Sequence, residues 1–408
     1  MIQKEQSEFI NWDFREADTK EYTHGVHTYP AMMIPQIARR LIYLYGKEAK
    51  TLLDPFMGSG TSLVEASLTP HIKEAYGFDL NPLAFLISKV KTTPLNTEVL
   101  SKELSKIINS DGYKDIPKFK NIEFWFKPKI IEQLAVIKKA INNIEDKDIK
   151  DFFLVVFSET IRNVSNTRNG EFKLYRMSEE SLRKHNPYVL SEFEKIALRN
   201  IKGMKQYLNA RQRTKTIPKH YSSMNELPIK TGSIDLIVTS PPYGDSKTTV
   251  AYGQFSRLAL QWLDYEDVAD LDNKLLGGKA TKNLEVKIDS PTLKEIIRKI
   301  GEKDQKRARE VLSFYEDFDK CVVQLNRIIA KEGYVCFVVG NRTVKGINIP
   351  TDKIMSEMFK ARGNYRYVAT HERAIPNKRM PKLNSPSNKV GEKVTTMCNE
   401  FIFVLQKD

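Results

Sequence analysis

A serine–proline–proline–tyrosine segment, Ser240 to Tyr243, carries the side chains of this chain that are best suited to chemistry. It follows the apolar, β-branched run 233–238, which predicts a buried strand. Two successive prolines cannot continue a β-ladder, so the chain must turn outward into a rigid loop. A loop at the carboxyl end of a strand is where an α/β protein meets its ligand. A hydroxyl and an aromatic ring would stand there.

A second segment, Asp54-Pro-Phe-Met-Gly-Ser-Gly-Thr61, is a glycine turn between a short strand, Thr51–Asp54, and a helix. Gly58 and Gly60 allow the backbone to turn sharply and to approach a ligand closely. The following helix offers unpaired N–H groups to an anionic group. Asp79 ends the next strand, about 20 residues on, where a carboxylate can accept ribose hydroxyls. A phosphate-loop ATPase is excluded, because no Gly-Lys-Ser/Thr follows the turn.

These segments must be positioned by a sheet. The order strand, glycine turn, helix, strand predicts the opening βαβ unit of a doubly wound, mostly parallel α/β sheet. The other predicted strands are Ala75–Asp79, Gly333–Gly340, Tyr365–His371 and Glu400–Gln406, and helices are predicted at 33–46, from Ser62, and at 309–330.

Residues 96–215 differ in composition, being rich in Lys, Glu, Ile and Asn. Amphipathic patterns such as 128–144 and 191–210 predict a mainly helical insertion of the size of a domain. The expected organisation is therefore an N-terminal part of the main domain at 1–95, the helical insertion at 96–215, and the remainder of the main domain at 216–408.

Composition narrows the class of protein. The chain has 408 residues and a net charge of +14, which favours a polyanionic partner such as nucleic acid. No apolar run is long enough to span a membrane, and the polar N-terminus is not a signal peptide. Cys321, Cys336 and Cys398 form neither a disulfide framework nor a zinc pattern. We expect a cytoplasmic protein without a bound metal.

Both motifs resemble those of S-adenosylmethionine-dependent DNA amino-methyltransferases. Asp54–Thr61 is similar to their cofactor loop, Asp-Pro-Phe-x-Gly-Ser-Gly-Thr, and Ser240–Tyr243 is similar to their catalytic loop in the form associated with N4-cytosine enzymes. His27-Thr-Tyr-Pro-Ala31 resembles a further cofactor segment that folds over the methionine end of the cofactor. The resemblance covers roughly residues 24–90 and 220–407, and its motif order excludes the permuted class in which the catalytic loop comes first.

The resemblance implies a Rossmann-like methyltransferase sheet and S-adenosylmethionine as the cofactor. The Ser240 side chain and the Pro241 carbonyl would accept the two hydrogens of an exocyclic amine, and Tyr243 would stack on a flipped base. Asp54 would suit the cofactor ammonium. The implied catalytic residues are Ser240, Pro241, Pro242 and Tyr243. The implied cofactor-binding residues are His27, Thr28, Tyr29, Pro30, Asp54, Pro55, Phe56, Gly58, Ser59, Gly60, Thr61, Asp79 and Asn81.

The implied activity is site-specific methylation of cytosine N4 in double-stranded DNA, protecting host DNA in a restriction–modification system. DNA would be the partner and would place the protein at the prokaryotic nucleoid. A cognate restriction endonuclease encoded nearby would be the functional counterpart, and no stable protein partner is required. The segments 162–176 and 247–307 are candidate DNA readers or solvated charged faces. The proline-rich segment 373–381 could touch the DNA backbone or fold over the site.

Several alternatives stay open. N6-adenine enzymes more often carry Asp or Asn at the position of Ser240, and RNA-base and protein-glutamine methyltransferases have related loops. Glu285-Val-Lys287 imitates a nuclease motif but lacks its upstream proline–aspartate partner. A silent DNA-binding module should have lost cofactor-loop residues, and none is lost. The stretch 221–228, just before the predicted strand at 233–238, departs from the Gly-Asp-Ala sequence that the family often has there. Asp245, just past the serine loop, could orient the site or be solvated.

Overall fold

The computed structural model describes residues 11–112, 116–168, 170, 172–245, 249–375 and 399–408, and the backbone of 383–384 and 394–395. The strands are β1 (Thr51–Asp54), β2 (Glu74–Asp79), β3 (Lys215–His220), β4 (Ile234–Thr239), β5 (Ile329–Gly340), β6 (Arg342–Val344), β7 (Ile347–Ile349), β8 (Tyr365–Ala374), β9 (Leu383–Asn384), β10 (Val394–Thr395) and β11 (Asn399–Lys407). The α-helices are α1 (Pro35–Tyr45), α2 (Thr61–Ser67), α3 (Pro82–Thr92), α4 (Thr97–Ile108), α5 (Ile122–Trp125), α6 (Pro128–Asn142), α7 (Lys147–Val164), α8 (Glu179–Lys184), α9 (Val189–Ala210), α10 (Tyr252–Trp262), α11 (Leu271–Lys274), α12 (Pro291–Lys303), α13 (Gln305–Ile328) and α14 (Thr351–Arg362), with 3-10 turns at His24–Val26 and Val268–Asp270.

Seven strands form the central sheet, in the order β3-β2-β1-β4-β5-β11-β8. The first five run parallel, and β11 lies antiparallel between β5 and β8. The strand order reverses between β1 and β4, which makes their carboxyl ends the topological switch point where ligands bind in such sheets. The predicted α/β, Rossmann-like methyltransferase fold is confirmed.

Alternation along the strands explains why both faces of the sheet are covered. Leu52 and Leu236 point into one apolar cluster, which they share with Ile37 and Leu41 of α1. The next residue on β1, Leu53, points into the opposite cluster, which contains side chains of α12, α13 and α14. The sheet is thus held rigidly between two helical layers, and its carboxyl edge can present loops in fixed positions.

Strand β3 was missed by the sequence analysis, which resumed the sheet only near residue 233. It is an edge strand that pairs with β2 alone, and Pro218 lies opposite Gly77 in the register. A proline is tolerated there because an edge strand needs no hydrogen bond on its outer side. Lysines and the proline give this strand the composition of a loop.

The segment 96–215 is mainly helical, as predicted, and contains α4 to α9. Its helices pack not only against one another but also against helices of the main domain. Phe157 of α7 lies edge-on to Trp262 of α10, with ring centroids 6.0 Å apart, and both belong to an apolar cluster that also includes Leu83 and Ile87 of α3. The helical segment therefore continues the layer that borders the cofactor loop, and its boundaries as a separate unit stay a prediction.

Some sequence expectations fall outside the described residues, namely those on Lys247, on 376–381 and on Cys398. Cys321 and Cys336 are buried free thiols. Of the helices that the structure describes, none is both long and apolar enough to cross a membrane.

Candidate active site

A single cleft opens at the carboxyl ends of β1, β2 and β4. Its volume is about 960 Å³ when the open mouth is included. Twelve of the predicted site residues line it: Tyr29, Pro30, Asp54, Pro55, Phe56, Gly58, Ser59, Thr61, Asp79, Asn81, Ser240 and Pro242. The predicted residues outside its lining are His27, Thr28, Gly60, Pro241 and Tyr243.

The glycine loop has the backbone geometry that its sequence predicts. Gly58 and Gly60 have φ angles of +48° and +79°, in the left-handed region that favours glycine. A Cβ atom on Gly60 would lie 3.1 Å from Ser88 Cα and 2.4 Å from Ser88 Oγ, so α3 packs directly against the loop. The loop can adopt this tight turn only because its residues carry no side chain at those points.

Asp79 anchors the loop from β2. Its carboxylate accepts hydrogen bonds from the backbone N–H groups of Gly58, at 3.0 Å, and Asn81, at 2.8 Å. Burial raises the pKa of Asp79 to about 6. The carboxylate lines the cleft and is an acceptor suited to the hydroxyls of a ribose.

Asp54 joins the two strands at the switch point. Its carboxylate accepts a hydrogen bond from the Thr239 hydroxyl, at 2.6 Å, and from the Phe56 N–H, at 3.1 Å. Burial raises the pKa of Asp54 to about 6. Because Thr239 directly precedes Ser240, this contact fixes the glycine loop and the serine loop relative to each other.

The upstream segment forms another wall of the cleft. The Asn81 side chain donates to the Tyr29 hydroxyl, at 3.0 Å, and to Ser256 Oγ, at 2.8 Å. The Tyr29 ring lies over Tyr252 with centroids 6.0 Å apart. The Thr28 hydroxyl donates to Glu159 of α7, at 3.0 Å, away from the cleft. Tyr29 and Asn81 thus shape the cleft, and Thr28 holds the segment against the helical layer.

His27 lies behind the cleft. It lines a separate small cavity with Arg162 and Phe255. Its Nδ1 atom lies 2.6 Å from the Thr28 carbonyl oxygen, and burial lowers its pKa. The imidazole is therefore neutral at neutral pH, and its role toward the cofactor stays a prediction.

The serine loop is braced by residues that the sequence analysis did not identify. Ser240 Oγ lies 3.3 Å from the Tyr243 hydroxyl, which donates to Glu400 at 2.8 Å. Glu400 in turn accepts from Arg373, at 2.7 Å. Burial raises the pKa of Tyr243 well above its ordinary value, so the phenol stays protonated. The Tyr243 side chain is thus held from behind by an ion pair between β11 and β8.

Asp245 is buried. Of its two interpretations, the solvated one is therefore wrong. Its carboxylate lies 3.2 Å from Nη1 of Arg342, and both side chains are almost inaccessible to solvent. A Cβ atom on Gly244 would lie 2.1 Å from the same guanidinium nitrogen. The far end of the loop is therefore closed by a second buried ion pair, and Gly244 makes room for it.

The stretch 221–228 contributes to the cleft although its sequence departs from the family pattern. Tyr221, Ser222, Ser223 and Met224 line the cleft, and the Ser223 hydroxyl donates to the Pro55 carbonyl at 2.5 Å. Ala31 and Met57 also line the cleft and belong to the two predicted cofactor segments, although they were not named as site residues. The other lining residues that were not predicted as site residues are Met32, Met33, Leu80, Tyr221, Ser222, Ser223, Met224, Gly244, Tyr252, Leu275 and Leu276. For 221–224 the available signal was position just before the strand that leads to Ser240, and the departure from Gly-Asp-Ala weakened that signal.

Residues 165–177 form a hairpin-like turn, here called the 165–177 turn, of which residues 169 and 171 are not described. Arg168 N–H donates to the Tyr175 carbonyl at 2.9 Å. Phe172 and Tyr175 are exposed, and Phe172 contacts Phe255 of α10 with ring centroids 6.3 Å apart. The turn therefore lies beside the helix whose first residue, Tyr252, lines the cleft.

Glu285 and Lys287 lie 3.8 Å apart and are both largely exposed. This is the arrangement of a solvated pair on the surface, which does not favour the nuclease alternative. Within the described part of the chain, no three His, Cys, Asp or Glu side chains are grouped so that they could hold a metal ion.

The chain's own residues fit S-adenosylmethionine. Two loop glycines leave room for close approach of a ligand, and the partly buried Asp79 carboxylate, which lines the cleft, is available to ribose hydroxyls. The cleft is mostly apolar beside these groups, with Phe56, Met57 and Leu80 in its wall. These features match the adenosine part of the cofactor.

Comparison with known proteins gives two relatives, one that matches nearly the whole chain and one that matches more than half of it. The chain is 47% identical, over 425 aligned positions, to Type II methyltransferase M.MvaI of Kocuria varians, with 96% of this chain and 93% of the relative covered. It is 23% identical, over 333 positions, to Type II methyltransferase M.MjaII of Methanocaldococcus jannaschii, with 57% of this chain and 62% of the relative covered.

Among solved structures, the rRNA methyltransferase aviRa from Streptomyces viridochromogenes has a TM-score of 0.33 and 9% identity, covering 93% of this chain and 88% of that chain. A TM-score this low does not establish a common fold, so the fold assignment depends on the strand order. No protein-family model matches the chain.

Proposed function

Because the chain belongs to the type II restriction–modification methyltransferases, we propose that it methylates the exocyclic N4 amine of a flipped cytosine in double-stranded DNA. That it is an S-adenosylmethionine-dependent DNA methyltransferase follows from its family. The choice of cytosine N4 and the roles of individual residues are the proposal.

One observation carries the proposal: Ser240 shares one cleft with the glycine loop and Asp79. β1 and β4 are neighbours in the sheet, and the Asp54–Thr239 hydrogen bond joins their ends. A base amine held at Ser240 would therefore lie next to whatever the glycine loop binds. Serine at the first loop position is the feature that favours cytosine.

The direction of the hydrogen bonds around Ser240 supports its role as an acceptor. Tyr243 has one hydroxyl hydrogen, which it donates to Glu400. At 3.3 Å, the Ser240 hydroxyl can then only donate to the Tyr243 oxygen. Its own lone pairs are left for the hydrogens of an incoming amine. The Arg373–Glu400 ion pair polarises this chain of hydrogen bonds.

Pro241 supplies the second acceptor. Its ring fixes φ and the following Pro242 restricts its ψ, so the Pro241 carbonyl has a defined direction. Two fixed acceptors would bind both amine hydrogens and free the nitrogen lone pair from the ring system. S-adenosylmethionine supplies an electrophilic methyl group when it is bound. Positioning of this kind contributes about 7 to 11 kcal/mol to lowering a barrier.

The 165–177 turn is the proposed DNA contact. It combines exposed aromatic rings at Phe172 and Tyr175 with the guanidinium groups of Arg168 and Arg176. Arginine and aromatic side chains bind phosphates and unstacked bases. Its contact with α10 places it beside the cleft, so a base leaving the duplex near this turn would have a short path to Ser240.

In a restriction–modification system, this activity would protect host DNA from a cognate endonuclease. Mass spectrometry of nucleosides tests the base assignment. Purified protein is incubated with S-adenosylmethionine and DNA of mixed sequence, and the DNA is digested. N4-methylcytosine is the expected product. N6-methyladenine would overturn the choice of base, and no methylated nucleoside would overturn the activity. DNA incubated with Ser240→Ala protein is the control.

A further inference from the structure

Lys91, near the end of α3, is a lysine without any exposed surface. Its ammonium nitrogen lies 3.5 Å from Ser59 Oγ, at the outer limit for a hydrogen bond. Among the described residues, no carboxylate oxygen lies within 4.0 Å of this nitrogen. A buried ammonium is costly unless it is paired with an anion. The site therefore lacks a partner that the chain itself does not provide.

The surroundings of Lys91 are those of the glycine loop. Ser88 contacts Gly60, and Lys91 lies three residues later, on the same face of α3. The Thr23 hydroxyl donates to the Lys91 carbonyl at 2.9 Å, which ties α3 to the 3-10 turn before the upstream cofactor segment. Lys91 thus lies where the loop, α3 and that segment meet.

Ser59 connects this buried ammonium to the cleft. It lines the cleft with Gly58 and Thr61, at the start of α2. Asp79, on the next strand, lines it too and suits ribose. The far end of a nucleoside-linked amino acid carries a carboxylate, the kind of anion that Lys91 lacks.

Burial lowers the pKa of Lys91 to about 7. An amine with such a pKa is readily charged by a nearby anion, because the attraction offsets part of the cost of burial. A charge that forms deep in the wall when an anion binds would hold that anion without making the open surface more basic.

We propose that Lys91 is the cationic contact for the carboxylate of S-adenosylmethionine, at the part of the cleft wall formed by Ser59. This inference depends on the cofactor of the family and not on the choice of cytosine as the target. It assigns a cofactor-binding role to a helix residue outside the glycine loop, outside the upstream segment and outside the acidic residue on β2.

Calorimetric titration without DNA tests the proposal, using S-adenosylmethionine and its decarboxylated analogue, which differ by the carboxylate alone. Lys91→Met is expected to weaken S-adenosylmethionine binding at least tenfold and to change binding of the analogue less than twofold. The wild-type protein should prefer S-adenosylmethionine by a similar factor. Lys89→Met is the matched control. Lys89 lies on the same helix but pairs with Asp148 and Asp151, so its removal should leave both affinities within twofold.

An equal loss for both ligands would overturn the proposal, since it would show that Lys91 supports the loop rather than the carboxylate. Unchanged affinity for both would overturn it too. Thermal melting of the ligand-free Lys91→Met protein distinguishes a folding defect from a specific loss of binding, because removal of an unpaired buried charge should not lower Tm. Lys91→Gln provides a second, polar variant with the same expected selectivity. None of these results depends on which base is methylated.

Discussion

The Tyr243 hydroxyl and the Glu400 carboxylate lie 2.8 Å apart, although 157 positions separate them in the chain. The sheet brings them together. β4 pairs with β5, β5 pairs with β11, and Glu400 lies directly opposite Arg373 in the β11–β8 register. A cross-strand ion pair therefore stands behind the serine loop and fixes the direction of its tyrosine.

Tyr243→Phe keeps the ring but removes this hydroxyl. The Ser240 hydroxyl then loses its acceptor, and Glu400 loses one donor. Hydrogen bonds to charged groups contribute about 1.5 to 3 kcal/mol, so we expect single-turnover methylation to slow about 10- to 100-fold. Affinity for S-adenosylmethionine, measured by calorimetry, should stay within twofold. Glu400→Gln keeps an acceptor and should lose less. A Tyr243→Phe rate equal to that of the wild type would contradict the hydrogen-bond direction given to Ser240.

Ser240→Ala removes the proposed side-chain acceptor for the amine. Loss of one preorganised hydrogen-bonding group at a reacting centre costs on the order of 10²- to 10³-fold in rate, and we expect a loss of that size in single-turnover experiments. Cofactor affinity should be nearly unchanged. Ser233→Ala, just before the opposite end of β4, is the control and should retain activity. Parallel losses of rate and cofactor affinity in Ser240→Ala would argue against the assigned role.

Asp245→Ala breaks the buried ion pair with Arg342. The guanidinium would be left buried beside an alanine, and breaking such a pair typically costs about 3 to 5 kcal/mol of unfolding free energy. Urea unfolding should show this decrease. In the double variant Asp245→Ala with Arg342→Met, the buried guanidinium is removed as well, so part of the loss should be recovered. A double variant as unstable as the sum of both single variants would show that the two residues act independently.

Asp79 makes the unfolding free energy depend on pH, and the sign of this dependence follows from the raised pKa of its carboxyl group. The folded-state pKa of Asp79 is raised from 3.8 to about 6, so the folded protein binds more protons than the unfolded chain between these values. This contribution lowers stability as pH rises from about 4 to about 6. Asp79→Asn does not titrate. Its unfolding free energy relative to wild type should therefore rise by on the order of 3 kcal/mol, at about 1.4 kcal/mol per pKa unit, between pH values well below 4 and well above 6. A difference that is constant with pH would contradict the raised pKa.

Phe172→Ala tests the 165–177 turn. If the ring contacts DNA, affinity for a duplex that contains the target site should fall roughly 5- to 100-fold, as expected for the loss of a stacking contact of about 1 to 3 kcal/mol. Fluorescence anisotropy at fixed salt measures it. Tyr43 is also exposed, but it lies on α1, whose buried side chains belong to a different apolar cluster from Phe255. Tyr43→Ala should bind DNA like the wild type. Equal affinity of Phe172→Ala and wild type would exclude this ring from the interface.

The sequence was sufficient to predict those site residues that lie together in short segments. Gly58, Gly60 and Asp79 were identified from local spacing, and the structure joins them by the Gly58–Asp79 hydrogen bond. It was insufficient to predict contacts between residues on strands that are distant in the chain. Arg373 could be identified only as the start of the segment 373–381 and Glu400 only as the start of a predicted strand, because their pairing depends on the register of two strands, β11 and β8. β3 was missed because Pro218 gives an edge strand the composition of a loop.

The placement of β11 has a consequence for the order in which the protein can be made. Its residues leave the ribosome after those of the other described strands, yet it lies inside the sheet, between β5 and β8. A nascent chain that already contains both loops therefore lacks Glu400 and the strand to which β8 pairs. Competence to modify DNA would thus require synthesis to proceed past β11, and premature stop codons even a few positions before residue 399 should abolish it.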